Sequence, residues 1–151
     1  MRWRFCRNTV EQSRIIISGI ECKADNNRIH PSPRSNRFSS FQFKGLSPLQ
    51  GGQFLAVLRG KEYVVDMVGE FKLVTPEDAE DWTMSVPQDM VDKLATLQAD
   101  QIPNIAAQFA NATSEELGWS ADEFLPVVTQ LSALARRAVD TNKSMYLWNC
   151  L

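Results

Sequence analysis

Four carboxylates fall within five residues at Glu77, Asp78, Glu80 and Asp81, the strongest candidate for chemistry in the chain. Oxygen ligands grouped this way can hold a hard divalent cation. The spacing is not that of a calcium loop, which alternates its ligands around a central glycine and ends on a distal glutamate. Thr75 and Pro76 stand just before the run, a cap followed by a proline, so the same acids also read as the solvated first turn of a short helix. Glu115-Glu116 and Asp122-Glu123 have that explanation too. No metal ligand is assigned among them.

Other routes to catalysis close quickly. His30 is the single histidine and lies in a proline-flanked basic stretch, whereas a triad or zinc site needs a rigid scaffold. One histidine also excludes HExxH and paired-histidine zinc sites, and no Ser-x-x-Lys pair is present. Cys6, Cys22 and Cys150 are odd in number and widely spaced, which indicates neither a disulfide framework nor a zinc site and suits a reducing compartment. Cys150 sits in an apolar context and reads as an inert buried thiol. No catalytic residue and no cofactor is assigned, and the reading leans away from an enzyme.

Recognition is better served. Trp82, Trp119 and Trp148 are notable for so small a chain, because tryptophan is enriched at binding hot spots. Each also has apolar neighbours and could be core. Charge divides unevenly along the sequence. Residues 1–44 carry nine Lys or Arg against three Asp or Glu, a net of +6, and residues 45–151 carry seven against fifteen, a net of −8. Two parts with different physical roles are implied. Arg2, Arg4, Arg7, Arg34 and Arg37 interleave with Trp3, Phe5 and Phe38, a combination that can bind phosphates and stack on bases. Spread this thinly, with no dense cluster, the arginines better suit a solvated tail.

The elements that must position these residues follow from periodicity. Residues 1–44 are rich in Arg, Ser and Asn, and His30-Pro31-Ser32-Pro33 opposes regular structure. They read as a flexible, loosely attached basic arm, with a short strand conceivable within Val10–Ile20. From Gly45 onwards an acidic helical domain is expected. Ser47-Pro48 caps a first helix that Gly60 ends, weakened by Gly51-Gly52 at about 1 kcal/mol per glycine. Tyr63–Val74 reads as helix through Val68, with Gly69 as a break. Gln88–Ala99 forms a helix on Met90, Val91, Leu94 and Leu97, and Asp100 caps another bearing Ile102, Ile105, Ala106 and Phe109.

The clearest helix is Ser120–Ala138. Ser120 and Glu123 have capping-box spacing. Phe124, Val127, Val128, Leu131, Leu134, Ala135 and Ala138 form one apolar face, and Pro126 is its one discordant residue. Trp82–Val86 alternates as a half-buried strand, and Met145–Cys150 is apolar enough to be a buried strand beside it. The expected fold is therefore mainly α: four or five helices with a minimal two-stranded β element.

No apolar run reaches the roughly 20 residues of a membrane span, and none near the start resembles a signal-peptide core. The chain reads as soluble and cytoplasmic. The expected function is a non-enzymatic protein-binding module, an inhibitor, immunity-type protein or regulatory adaptor. It would present an acidic surface of Glu77, Asp78, Glu80, Asp81, Trp82 and Trp119 to a basic protein partner. The alternatives are nucleic-acid binding through the basic arm, and a metal-dependent enzyme built on clustered carboxylates.

Overall fold

A computed structural model describes residues 12–18, 39–44, 46–75 and 81–150, with the backbone alone at 12–18, 39–44, 81, 149 and 150. In chain order the elements are β1 (Gln12–Ser18), β2 (Ser39–Lys44), α1 (Pro48–Arg59), a 3-10 helix (Val65–Glu70), β3 (Lys72–Leu73), β4 (Asp81–Ser85), α2 (Gln88–Thr96), α3 (Ile102–Ala112), α4 (Ala121–Asp140) and β5 (Ser144–Cys150). The molecule is mainly helical, as the periodicity implies. The β element is larger than the expected pair of strands: five antiparallel strands run in the order β2-β1-β5-β4-β3.

The expected pairing of residues 82–86 with the C-terminal segment is present, with Met84 opposite Leu147 and Thr83 opposite Trp148. On its other side β5 pairs with β1, where Ile15 faces Leu147 and Arg14 faces Trp148. The short strand anticipated in residues 10–20 is thus β1. Two segments of the stretch expected as a loose arm are strands of this sheet, and β5 joins them to the β3–β4 ribbon. Alternation explains the apolar tail: Met145 and Leu147 are buried in the core, while Tyr146 and Trp148 on the opposite face stay half-buried.

The helices follow local signals closely. Ser47 and Gln50 form a capping box at α1, and Gly60 closes that helix in the left-handed conformation at φ 61°. Ser120 and Glu123 form the second box: the Ser120 amide donates to the Glu123 carboxylate at 2.8 Å, and the Glu123 amide to Ser120 Oγ at 3.3 Å. The predicted apolar face of α4 is its buried face, and the helix continues through Pro126.

Three local expectations are corrected. Tyr63–Val74 is not an α-helix; it holds the 3-10 helix, which runs through Gly69, and then β3. α2 stops at Thr96 rather than Ala99, because α4 takes its terminal carbonyls: Ser132 Oγ donates to the Leu94 oxygen at 2.9 Å, and Arg136 donates to those of Ala95 and Leu97. Asp100 does not cap α3, whose cap position is Gln101.

Gly51 and Gly52 have a packing reason. A Cβ on Gly51 would lie 2.9 Å from Cζ of the buried Phe71 ring, and one on Gly52 would lie 3.2 Å from the Val68 backbone nitrogen. The pair lets the 3-10 helix and the start of β3 seat directly on α1. Alanine at Gly51 gains about 1 kcal/mol of helix propensity but must displace Phe71, and overpacking costs about 1–3 kcal/mol. We expect Gly51→Ala to lose roughly 1 kcal/mol in urea unfolding, and Gly69→Ala, with open space around it, to stay within about 0.5 kcal/mol of wild type. A stabilised Gly51→Ala would refute the packing role.

Candidate functional site

Glu77, Asp78 and Glu80 of the acidic run fall between β3 and β4 in the chain, and Asp81 is the first residue of β4. The base of this hairpin is held by backbone and side-chain bonds. Lys72 pairs with Ser85 and Leu73 with Met84. The Val74 amide donates to the Thr83 carbonyl at 2.8 Å, and the Thr83 amide donates to Thr75 Oγ1 at 3.1 Å. Lys72 is the one basic residue between 72 and 81, and its ammonium donates back to the Gly69 carbonyl at 2.7 Å. Thr75 accordingly belongs to the hairpin base, and the helical turn expected after it falls at residues 76–80, outside the described residues.

Of the expected contact residues, Glu77, Asp78 and Glu80 also lie outside the described residues. Asp81 opens β4. Trp82 is 39% exposed, which is high for a tryptophan on a paired strand. Leu73, which sequence reasoning missed, is 41% exposed on β3. Leu73 is opposite Met84, and Trp82 is two residues from Met84, so the two exposed side chains are diagonal neighbours on one face. No local signal marks Leu73, because its exposure comes from β3 being two residues long at the sheet edge.

Trp119 is placed differently. It lies between α3 and α4, half-buried, with its ring 5.2 Å from that of Phe124. Phe124 is itself in the core, so Trp119 packs the α3–α4 link onto it with one part of its surface. Of the alternative nucleic-acid set, Arg2, Arg4, Arg7, Arg34 and Arg37 lie outside the described residues, as does His30. The expected burial of the Cys150 thiol also falls outside what is described. Among the described residues, no three His, Cys, Asp or Glu side chains gather as a cation site, and no helix is long and apolar enough to cross a membrane.

One charged cluster is well defined, and it joins helices. Arg59, in the last turn of α1, makes a two-pronged contact with Glu70 at 2.6 Å and donates through Nε to Asp89 at 2.8 Å. Hydrogen bonding to Arg59 is the main cause holding both carboxyls below their usual range, and the same bonds push the guanidinium further up. The charges satisfy one another across α1, the 3-10 helix and α2. This cluster fixes the 3-10 helix that leads directly into β3 and so helps aim the hairpin. Comparison with protein-family models, curated proteins and solved structures finds no match.

Proposed function

We propose that the protein is a non-enzymatic binding module that presents the β3–β4 hairpin to a basic protein partner. The observation that carries this reading is the exposure of Trp82 and Leu73 together on paired strands, next in the chain to Glu77, Asp78, Glu80 and Asp81. Apolar anchors beside like charges combine two functions: the acids steer a cationic partner, and the tryptophan holds it once water is excluded. An inhibitor or adaptor that masks a basic site fits this chemistry. In this reading the acidic residues 45–151 are the working body.

The test is capture from source lysate by full-length wild type and two variants. One variant reverses the acids (Glu77→Lys, Asp78→Lys, Glu80→Lys); the other is Trp82→Ala. The partner's affinity is expected to fall roughly 30-fold for Trp82→Ala, the factor of a hot-spot loss of about 2 kcal/mol. Charge reversal is expected to slow association and remove its salt dependence. If both variants keep the wild-type circular dichroism and retain the same proteins to the same extent, the hairpin is not the contact element.

A further inference from the structure

Register sorts the apolar residues of β3, β4 and β5 onto one face. Leu73 stands opposite Met84, and Met84 opposite Leu147. Directly paired residues point the same way, and Trp82, two residues from Met84, shares their face. Leu147 is fully buried, so this is the side of the sheet on which the helices pack. α4 lies against it at β5 and β2. Burial declines from β5 towards the β3 edge: Met84 packs on the margin of the core, and Leu73 and Trp82 are exposed.

The open strip has the width of one helix. Two strands at about 4.8 Å spacing offer a surface roughly 10 Å across, the diameter of an α-helix. A segment lying on an apolar sheet face finds no backbone partners there. It must satisfy its own amides and carbonyls, which a helix does and an extended chain does not. Charge at the strip is one-sided. Residues 72–85 carry Lys72 against Glu77, Asp78, Glu80 and Asp81, a net of −3. Lys72, next to Leu73 on β3, alternates onto the opposite face and donates to the Gly69 carbonyl.

We propose that the helix-side strip of β3 and β4 receives an amphipathic basic helix of the protein partner, which completes the helical layer over the sheet. This rests on the hairpin reading above and specifies the form of the partner. The apolar stripe of that helix, at steps of three and four, covers Leu73, Met84 and Trp82. Lys or Arg along the border of the stripe meets the acids.

Tryptophan-fluorescence titration of the full-length chain tests this with synthetic peptides that contain no aromatic residue. One peptide carries leucines at helical spacing and lysines elsewhere, and at about 18 residues is long enough to form a helix when bound. The second is its scramble, with the same composition and no apolar face. The helical peptide is expected to bind at least about tenfold more tightly than the scramble, and to gain helical circular dichroism on binding.

Leu73→Asp and Val139→Asp each add one carboxylate, the first on the strip and the second at an exposed position of α4. A contact made by charge alone is strengthened by both. Seating on the strip instead predicts that Leu73→Asp weakens the helical peptide roughly tenfold, while Val139→Asp leaves it within about twofold. The proposal is overturned if the helical peptide binds no more tightly than its scramble, if it gains no helix on binding, or if folded Leu73→Asp binds it as well as Val139→Asp does. Lysate capture that still depends on Trp82 would then keep the hairpin as the contact element and remove only the helical partner. Capture that neither Trp82→Ala nor the acid reversal changes would remove both.

Discussion

Phe109→Ala is expected to cost about 3–5 kcal/mol of stability, the usual range for removing a buried phenylalanine. Phe109 is fully buried on α3. Its ring lies 4.6 Å from Phe54 of α1 and 4.4 Å from Phe124 of α4, and Trp119 extends the series. Three helices thus meet through one side chain. Collapse into the vacated space is resisted because α1 and α4 are each fixed by a capping box. Against a total stability of about 5–15 kcal/mol, such a loss leaves the chain marginal or unfolded. Phe109→Leu gives a graded comparison and should cost less, since it retains most of the apolar volume. Urea midpoints of the two variants measure this; a loss below about 1 kcal/mol for Phe109→Ala would mean that the aromatic series does not hold the helices together.

What was legible in the sequence was local. Ser120 with Glu123, the apolar steps from Phe124 to Ala138, and Ser47 with Pro48 and Gly60 each encode their element within a few residues. The pairing of β4 with β5 was also readable, because an apolar terminal stretch needs a place in the core. The remainder depends on distant partners. β1 pairs with β5 over more than 120 residues of sequence, and nothing in Gln12–Ser18 names that partner. The end of α2 is set by Ser132 and Arg136 of α4. Gly51 and Gly52 looked like a flaw in a helix until Phe71 and Val68 were seen to seat on them. For the candidate site, the acids and Trp82 were visible as composition. Leu73 was not, and Trp119 has a packing role that composition does not separate from recognition.

Arg59 gives the second large effect, and its sign follows from the carboxylates. Glu70 and Asp89 titrate lower in the folded protein than in the unfolded chain, so each contributes stability that is fully present above the ordinary carboxylate range and is lost as pH falls through the depressed folded values. Arg59 stays charged throughout. The side chains are partly exposed, at 19%, 38% and 45% for Arg59, Glu70 and Asp89, so screening limits the gain. The two-pronged geometry and the link between three elements raise it above an isolated surface pair.

Arg59→Met keeps the apolar stem and removes the guanidinium. It is expected to lose about 1–2 kcal/mol at pH 7. The difference from wild type should hold down to about pH 5 and shrink as pH falls through the depressed folded values and both carboxyls protonate. Wild type must then lose stability more steeply on acidification than the variant. A difference that stays constant across that window would mean that Arg59 acts through packing alone. Because Glu70 is followed directly by Phe71 and β3, loosening this link should also raise hydrogen exchange at the Val74 and Thr83 amides, which fix the base of the hairpin. Protection unchanged at those two amides would separate the ion-pair cluster from the placement of Trp82 and Leu73.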